Sequence, residues 1–258
     1  MIDYIDAIHT ESARFADLVA AAPPNAPVPS CPGWSVADLT WHLLEVQYFW
    51  ASIATDLLQS PETVVDLVRP SDDALPAMFR QQTQRLIDTL SSHEPDDACW
   101  SWHDSGHSIG WVRRRQAHEA LIHRVDAELA AGQRSPIDPL LAADGIDEIL
   151  TVMMDATDLP DWATFTADGS SAEIASNAGE AWTLILGRFT GTSPASGITY
   201  DDAAIQLADT LRTSTTIEGP PAELNLWLWG RGSLDTATVT GDQDLVERIR
   251  AAAVEATQ

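Results

Sequence analysis

Lysine is absent from this chain. All 14 basic residues are arginine, against 39 acidic residues, for a formal charge of −25. A polyanion of this size is repelled by nucleic acid and by anionic lipid surfaces, so neither is an expected partner. Small anionic ligands stay open, because a few arginines can dominate the field inside a pocket. Missing lysine against an alanine-rich background points to a high-GC genome, which is an inference about codons. Cysteine is nearly absent too. Cys31 and Cys99 are the only two, too few for a disulfide framework. No run approaches the 18 or so apolar residues of a membrane-spanning helix. The opening Met1-Ile-Asp-Tyr-Ile-Asp is acidic and lacks a cationic segment, so no export signal is expected. These absences predict a soluble, cytoplasmic protein.

What is present is helical first. The 258 residues are 45% hydrophobic, enough for one large core or two ordinary ones. Residues 3–21 carry apolar Ile5, Ile8, Phe15, Leu18 and Val19 at helical spacing. A proline-rich loop, 23–33, leads into a second helix. Ser35 is its predicted N-cap and Asp38 completes a capping box, with Trp34 and Leu39 as a hydrophobic staple. The pattern carries this helix to about residue 60. A third helix is expected near 75–92, then a polar, aromatic loop to Ser108. A fourth covers about 110–131 and stops at Gly132, a natural C′ residue. Four helices in this span predict an antiparallel bundle, whose interior is where facing helices build metal sites.

The character changes after Gln133-Arg-Ser-Pro-Ile-Asp-Pro. A helix is expected over 138–156. Short runs rich in Thr, Ile, Val and Trp follow at 162–167, 181–190, 198–200 and 203–208, separated by turn residues. A helix near 220–228, a strand at 235–240 and a final helix at 243–253 complete the reading. The predicted fold class is α+β multidomain: a bundle over residues 1–135 and a small α/β domain over 136–258.

One constellation carries chemistry. Glu119 and His123 stand four residues apart in the fourth helix, which stacks them on one face. With His42 from the second helix they form a candidate three-ligand metal site, leaving one position open as in catalytic centres. A buried polar network tying two helices is the competing reading. The zinc-protease pattern His-Glu-x-x-His fails in register. His118 and His123 are five apart and diverge by about 140°, whereas Glu119 and His123 diverge by about 40°. His118 is therefore expected to face elsewhere.

Other residues draw quieter expectations. Glu45 is a candidate acceptor for an imidazole N–H, and an exposed carboxylate as readily. Arg115, one turn before Glu119, can pair with that carboxylate or meet a substrate anion, and a surface ion pair is the expected reading. His93, His103 and His107 fit no metal template and read as loop residues. Cys31 reads as a small buried side chain, and Cys99 has no assigned role. Trp100 and Trp102 are expected to pack beneath the loop rather than wall a cleft.

Four stretches support a resemblance across nearly the whole chain. They are Cys31-Pro-Gly-Trp-Ser-Val-Ala-Asp-Leu-Thr-Trp-His42, Arg114-Arg-Gln-Ala-His-Glu119-Ala-Leu-Ile-His123-Arg-Val-Asp-Ala127, Asp144-Gly-Ile-Asp-Glu148, and Gly219-Pro-Pro-Ala-Glu-Leu-Asn-Leu-Trp-Leu-Trp-Gly-Arg231 with Gly241-Asp242. The chain resembles the mycothiol-dependent maleylpyruvate isomerase family of actinobacteria. The resemblance implies a DinB-like four-helix bundle joined to a sterol-carrier-like α/β domain. It implies a divalent metal, usually zinc, on His42, Glu119 and His123, and the low-molecular-weight thiol mycothiol as cofactor. With it, Arg231 becomes a candidate for gripping a carboxylate with its planar fork. The reading is an isomerase or transferase acting on a small electrophilic carboxylated substrate. The alternatives are a non-catalytic small-molecule binder, or a hydrolase using a zinc-bound water.

Overall fold

A computed structural model describes residues 2–103, 106–157, 159–209 and 211–257. The chain divides into two compact units, Met1–Ser135 and Pro136–Gln258. Among the described residues no helix is long and apolar enough to cross a membrane.

The first unit contains α1 (Tyr4–Ala21), α2 (Val36–Thr55), α3 (Leu75–Ser91) and α4 (Ile109–Ala130), with a short 3-10 turn at Pro61–Thr63. Phe15, Val19, Leu39, Leu43, Leu44, Leu75 and Phe79 are buried in one apolar cluster. Each fully buried side chain of this kind contributes about 1.5–3 kcal/mol. Side-chain pairs fix the helix directions. Tyr4 meets His118 and Glu11 meets Arg124, so α1 and α4 run the same way. His42 faces Glu119 while Trp50 faces Trp111, so α2 runs antiparallel to α4. The crossover between α2 and α3 then returns along the bundle, and its Arg69 binds Asp38 at the start of α2.

Two helix ends explain how the site helices are framed. At α2, the Ser35 hydroxyl accepts from the Asp38 N–H at 3.2 Å and Asp38 accepts from the Ser35 N–H at 3.0 Å, which is the expected capping box. The far end differs from expectation. Helix α2 stops at Thr55 rather than near residue 60. Leu57 takes a left-handed φ of 49°, and Leu58 N–H donates to the Ile53 carbonyl at 2.9 Å. That is a Schellman closure with leucine where glycine is usual. Helix α4 closes in the same way on Gly132, whose φ is 66°.

The second unit holds α5 (Pro139–Glu148), a π-helical turn (Ile149–Met154), β1 (Ala163–Ser176), β2 (Ala181–Thr192), β3 (Thr199–Ala208), β4 (Thr215–Gly219), α6 (Pro221–Leu228), β5 (Thr238–Thr240) and α7 (Gln243–Ala256). The strands form one mixed sheet in the order β3-β2-β1-β4-β5. Only β1 and β4 pair in parallel. The sequence reading stops β1 at residue 167 because Asp168-Gly-Ser reads as a turn. In the structure that stretch is a bulge, and pairing with β2 resumes at Ser171. The runs at 198–200 and 203–208 join into β3. Strand β4, short and threonine-rich, has no counterpart in the sequence reading.

Candidate metal centre

His42 projects from the middle of α2, and Glu119 and His123 from one face of α4. The three can offer ligand atoms that all lie within 4.8 Å of one another. Glu119 Oε1 is 3.1 Å from His123 Nε2 and 3.4 Å from His42 Nε2. Two ligands each about 2.0–2.1 Å from a tetrahedral zinc stand about 3.3 Å apart, so the residues present fit such an ion. Side-chain exposure falls from 37% at His42 through 16% at Glu119 to 10% at His123. The cluster therefore opens on the His42 side. The rings of His42 and His123 meet edge to face at 4.9 Å, and Trp34 covers His42 at the same distance.

The second oxygen of Glu119 accepts from Arg115 Nη2 at 2.7 Å. Arg115 is buried, which corrects the expected surface pair. On its far side, His123 Nδ1 lies 2.9 Å from Asp126 Oδ2. Asp126 also accepts from the Ser30 hydroxyl at 2.5 Å and the Cys31 thiol at 3.5 Å. Cys31 is thus half-buried and polar in its contacts, not the inert filler read from sequence.

Electrostatics favour positive charge at the centre. Burial pushes the Glu119 carboxyl up, but the charge and hydrogen bond of His123, with help from His42 and Arg115, hold it well below the ordinary carboxylate range. Burial likewise depresses His123, and the charge of Glu119 with the bonds to Asp126 and Glu119 overcomes it, raising the imidazole to about 9.

Several candidates lie outside this cluster. His118 is buried with its ring against Tyr4. Burial raises the Glu45 carboxyl, with the nearby charge of His42 pulling the other way. His93 pairs with Asp97, and His107 Nδ1 accepts from Ser101 N–H. Asp104 and Ser105 of the same loop lie outside the described residues. Trp100 stacks on Trp50 beneath the loop, and the half-exposed Trp102 packs edge-on against Trp111. Burial pushes the Cys99 thiol up to about 11, away from any nucleophilic role at neutral pH. Arg231 follows α6 in the second unit, its guanidinium over the Trp229 ring and one nitrogen donating to the Trp229 carbonyl at 2.6 Å. Asp126 and Ser30 were not singled out by sequence. Asp126 had a readable signal, its i+3 spacing from His123. Ser30 had none, because its contact depends on the path of the loop.

Residues 5–128 match the family model of the mycothiol maleylpyruvate isomerase N-terminal domain, and residues 140–248 match that of the MDMPI C-terminal domain. Two solved structures share the fold: the mycothiol-dependent maleylpyruvate isomerase and a histidine-to-alanine mutant of it. Each has a TM-score of 0.57 and 14% identity, over 92% of this chain and 91% of that one. No curated protein matches the chain.

Proposed function

The chain belongs to the mycothiol-dependent maleylpyruvate isomerase family, and from that premise we propose that it is a metal- and thiol-dependent isomerase acting on a small unsaturated carboxylate. The observation that carries this reading is the convergence of His42, Glu119 and His123 within 4.8 Å, with one side open. These residues would hold a divalent ion, zinc by the chemistry of two imidazoles and a carboxylate. Such an ion would supply the positive charge that favours the ionised form of a thiol at neutral pH. Bound mycothiol would supply the nucleophilic sulfur for reversible addition to an electron-poor double bond.

The chain's own residues do the positioning. Arg115 neutralises one oxygen of Glu119 and leaves the other facing the two histidines. Burial of His123 and of most of Glu119 raises the strength of each charge interaction within the centre. We assign Arg231 the carboxylate of the substrate or thiol, because its planar fork suits bidentate binding. A thiol-using reaction of this kind suits a reducing cytoplasm, in keeping with two free cysteines. Transfer of the thiol, with the thioether as product, is the nearest variant of the chemistry. The test is a cis–trans isomerisation assay on maleylpyruvate with metal-loaded protein, with and without mycothiol. Thiol-dependent isomerisation supports the proposal. Thiol consumption without isomerisation would make the protein a transferase, and no reaction with either thiol or substrate would refute both.

A further inference from the structure

Asp126 is fully buried. A carboxylate is almost never left there without partners, since desolvating its charge is costly. Partners reach it from at least two directions. Ser30 and Cys31, in the loop before α2, donate to it at 2.5 and 3.5 Å. His123, one turn earlier on α4, presents Nδ1 at 2.9 Å. An ionised carboxylate accepts hydrogen bonds and donates none. Nδ1 of His123 must therefore carry the proton in this contact. The opposite nitrogen, Nε2, faces Glu119 at 3.1 Å, where the metal reading needs a lone pair.

We propose that Asp126 is the positioning residue of the metal centre, with Ser30 and Cys31 holding it in place. It fixes the plane of the His123 ring and the nitrogen that carries the proton. The inference rests on the metal reading of His42, Glu119 and His123. The segment from Ser30 to Trp34 then braces both histidines: His123 through Asp126, and His42 through the Trp34 ring at 4.9 Å. A purely structural role, in which Asp126 only pins the loop to α4, makes a different prediction. It would affect folding and leave the ligand geometry alone.

The isosteric variant Asp126→Asn separates the two. The amide turns its oxygen toward the Ser30 donor and its N–H₂ toward Nδ1. That favours the proton on Nε2, where it blocks coordination. Loss of such an outer partner weakens metal binding about 10–100-fold. The experiment measures Zn²⁺ affinity by competition with a chromophoric chelator, together with the visible spectrum of the Co²⁺-loaded protein and the melting temperature. At least tenfold weaker Zn²⁺ binding with an altered Co²⁺ spectrum, in folded protein, supports the proposal. Affinity within twofold of wild type overturns it, whatever the melting temperature does. If Asp126→Asn does not fold, Ser30→Ala decides, because it removes the 2.5 Å bond and keeps the charge. A threefold or greater loss of Zn²⁺ affinity supports positioning, and unchanged affinity overturns it. A folded wild-type protein that binds no Zn²⁺ would instead remove the metal reading itself.

Discussion

Helix α4 carries two buried charge clusters, and they are built on opposite plans. Around Arg124, the guanidinium donates to Glu11 at 2.6 Å and to Glu128 at 2.8 Å. Glu128 also pairs with Arg14 and accepts from the Ser135 hydroxyl at 2.6 Å. Two cations meet two anions, and the cluster closes on itself. Around Glu119, the Arg115 guanidinium meets one carboxylate oxygen, and the His123 imidazole stands between Glu119 and Asp126. That cluster is built on imidazoles and is most exposed at His42. A closed network ties α1 to α4. The open one groups two imidazoles and a carboxylate, the donor set we propose holds a cation. Burial and ion pairing are common to both, so neither marks a site; the convergence of two imidazoles on one carboxylate does.

Breaking the open cluster is predicted to give the largest effect. His123→Ala or Glu119→Gln should abolish stoichiometric metal binding in the folded protein, read by elemental analysis. Breaking the closed cluster should spare metal binding and act on stability alone. Arg124→Ala strands two buried carboxylates, so a loss of about 3–5 kcal/mol is expected in denaturant unfolding. Metal content of the folded fraction should be unchanged. Next comes Arg231, which belongs to neither cluster. Arg231→Lys should weaken turnover about tenfold or more, the size of one forked charge-assisted contact of roughly 1.5–3 kcal/mol. Full activity with a lower melting temperature would make Arg231 a structural residue of its own unit.

Smaller effects sharpen the same contrast. His118→Ala should leave metal affinity within a few-fold of wild type, since His118 packs against Tyr4 away from the cluster. Asp38, at the start of the helix that carries His42, gives a pH signature. Hydrogen bonds from Ser35, then Arg69, hold its carboxyl down at about 2. A folded value below the unfolded one stabilises at pH above the ordinary carboxylate range. That contribution is lost as pH falls from about 4 toward 2. Asp38→Asn should flatten this part of the acid-unfolding curve. An unchanged curve would mean the capping box contributes nothing measurable.

How legible this was in the sequence depends on range. The α2 capping box is local and reads directly from Ser35 and Asp38. The shared face of Glu119 and His123 follows from helical spacing alone. Asp126 could have been found by the same arithmetic. What failed depended on the rest of the chain. Arg115 reads as a surface residue until α4 proves buried on nearly every side. Leu57 closes α2 in a conformation that leucine rarely takes, so no residue type announces it. Asp168-Gly-Ser is turn-like by composition, and only pairing across to β2 makes it a bulge. The approach of Ser30 and Cys31 to Asp126 spans more than 90 residues of sequence, and no local pattern encodes it.

The central claim is that the open cluster holds a metal and the closed one does not. It is tested most directly by elemental analysis of wild type, Glu119→Gln and Arg124→Ala, purified without chelator and equilibrated with Zn²⁺. The account predicts about one zinc per chain in wild type and in folded Arg124→Ala, and essentially none in Glu119→Gln. Metal-free wild type, or full occupancy in Glu119→Gln, would contradict it.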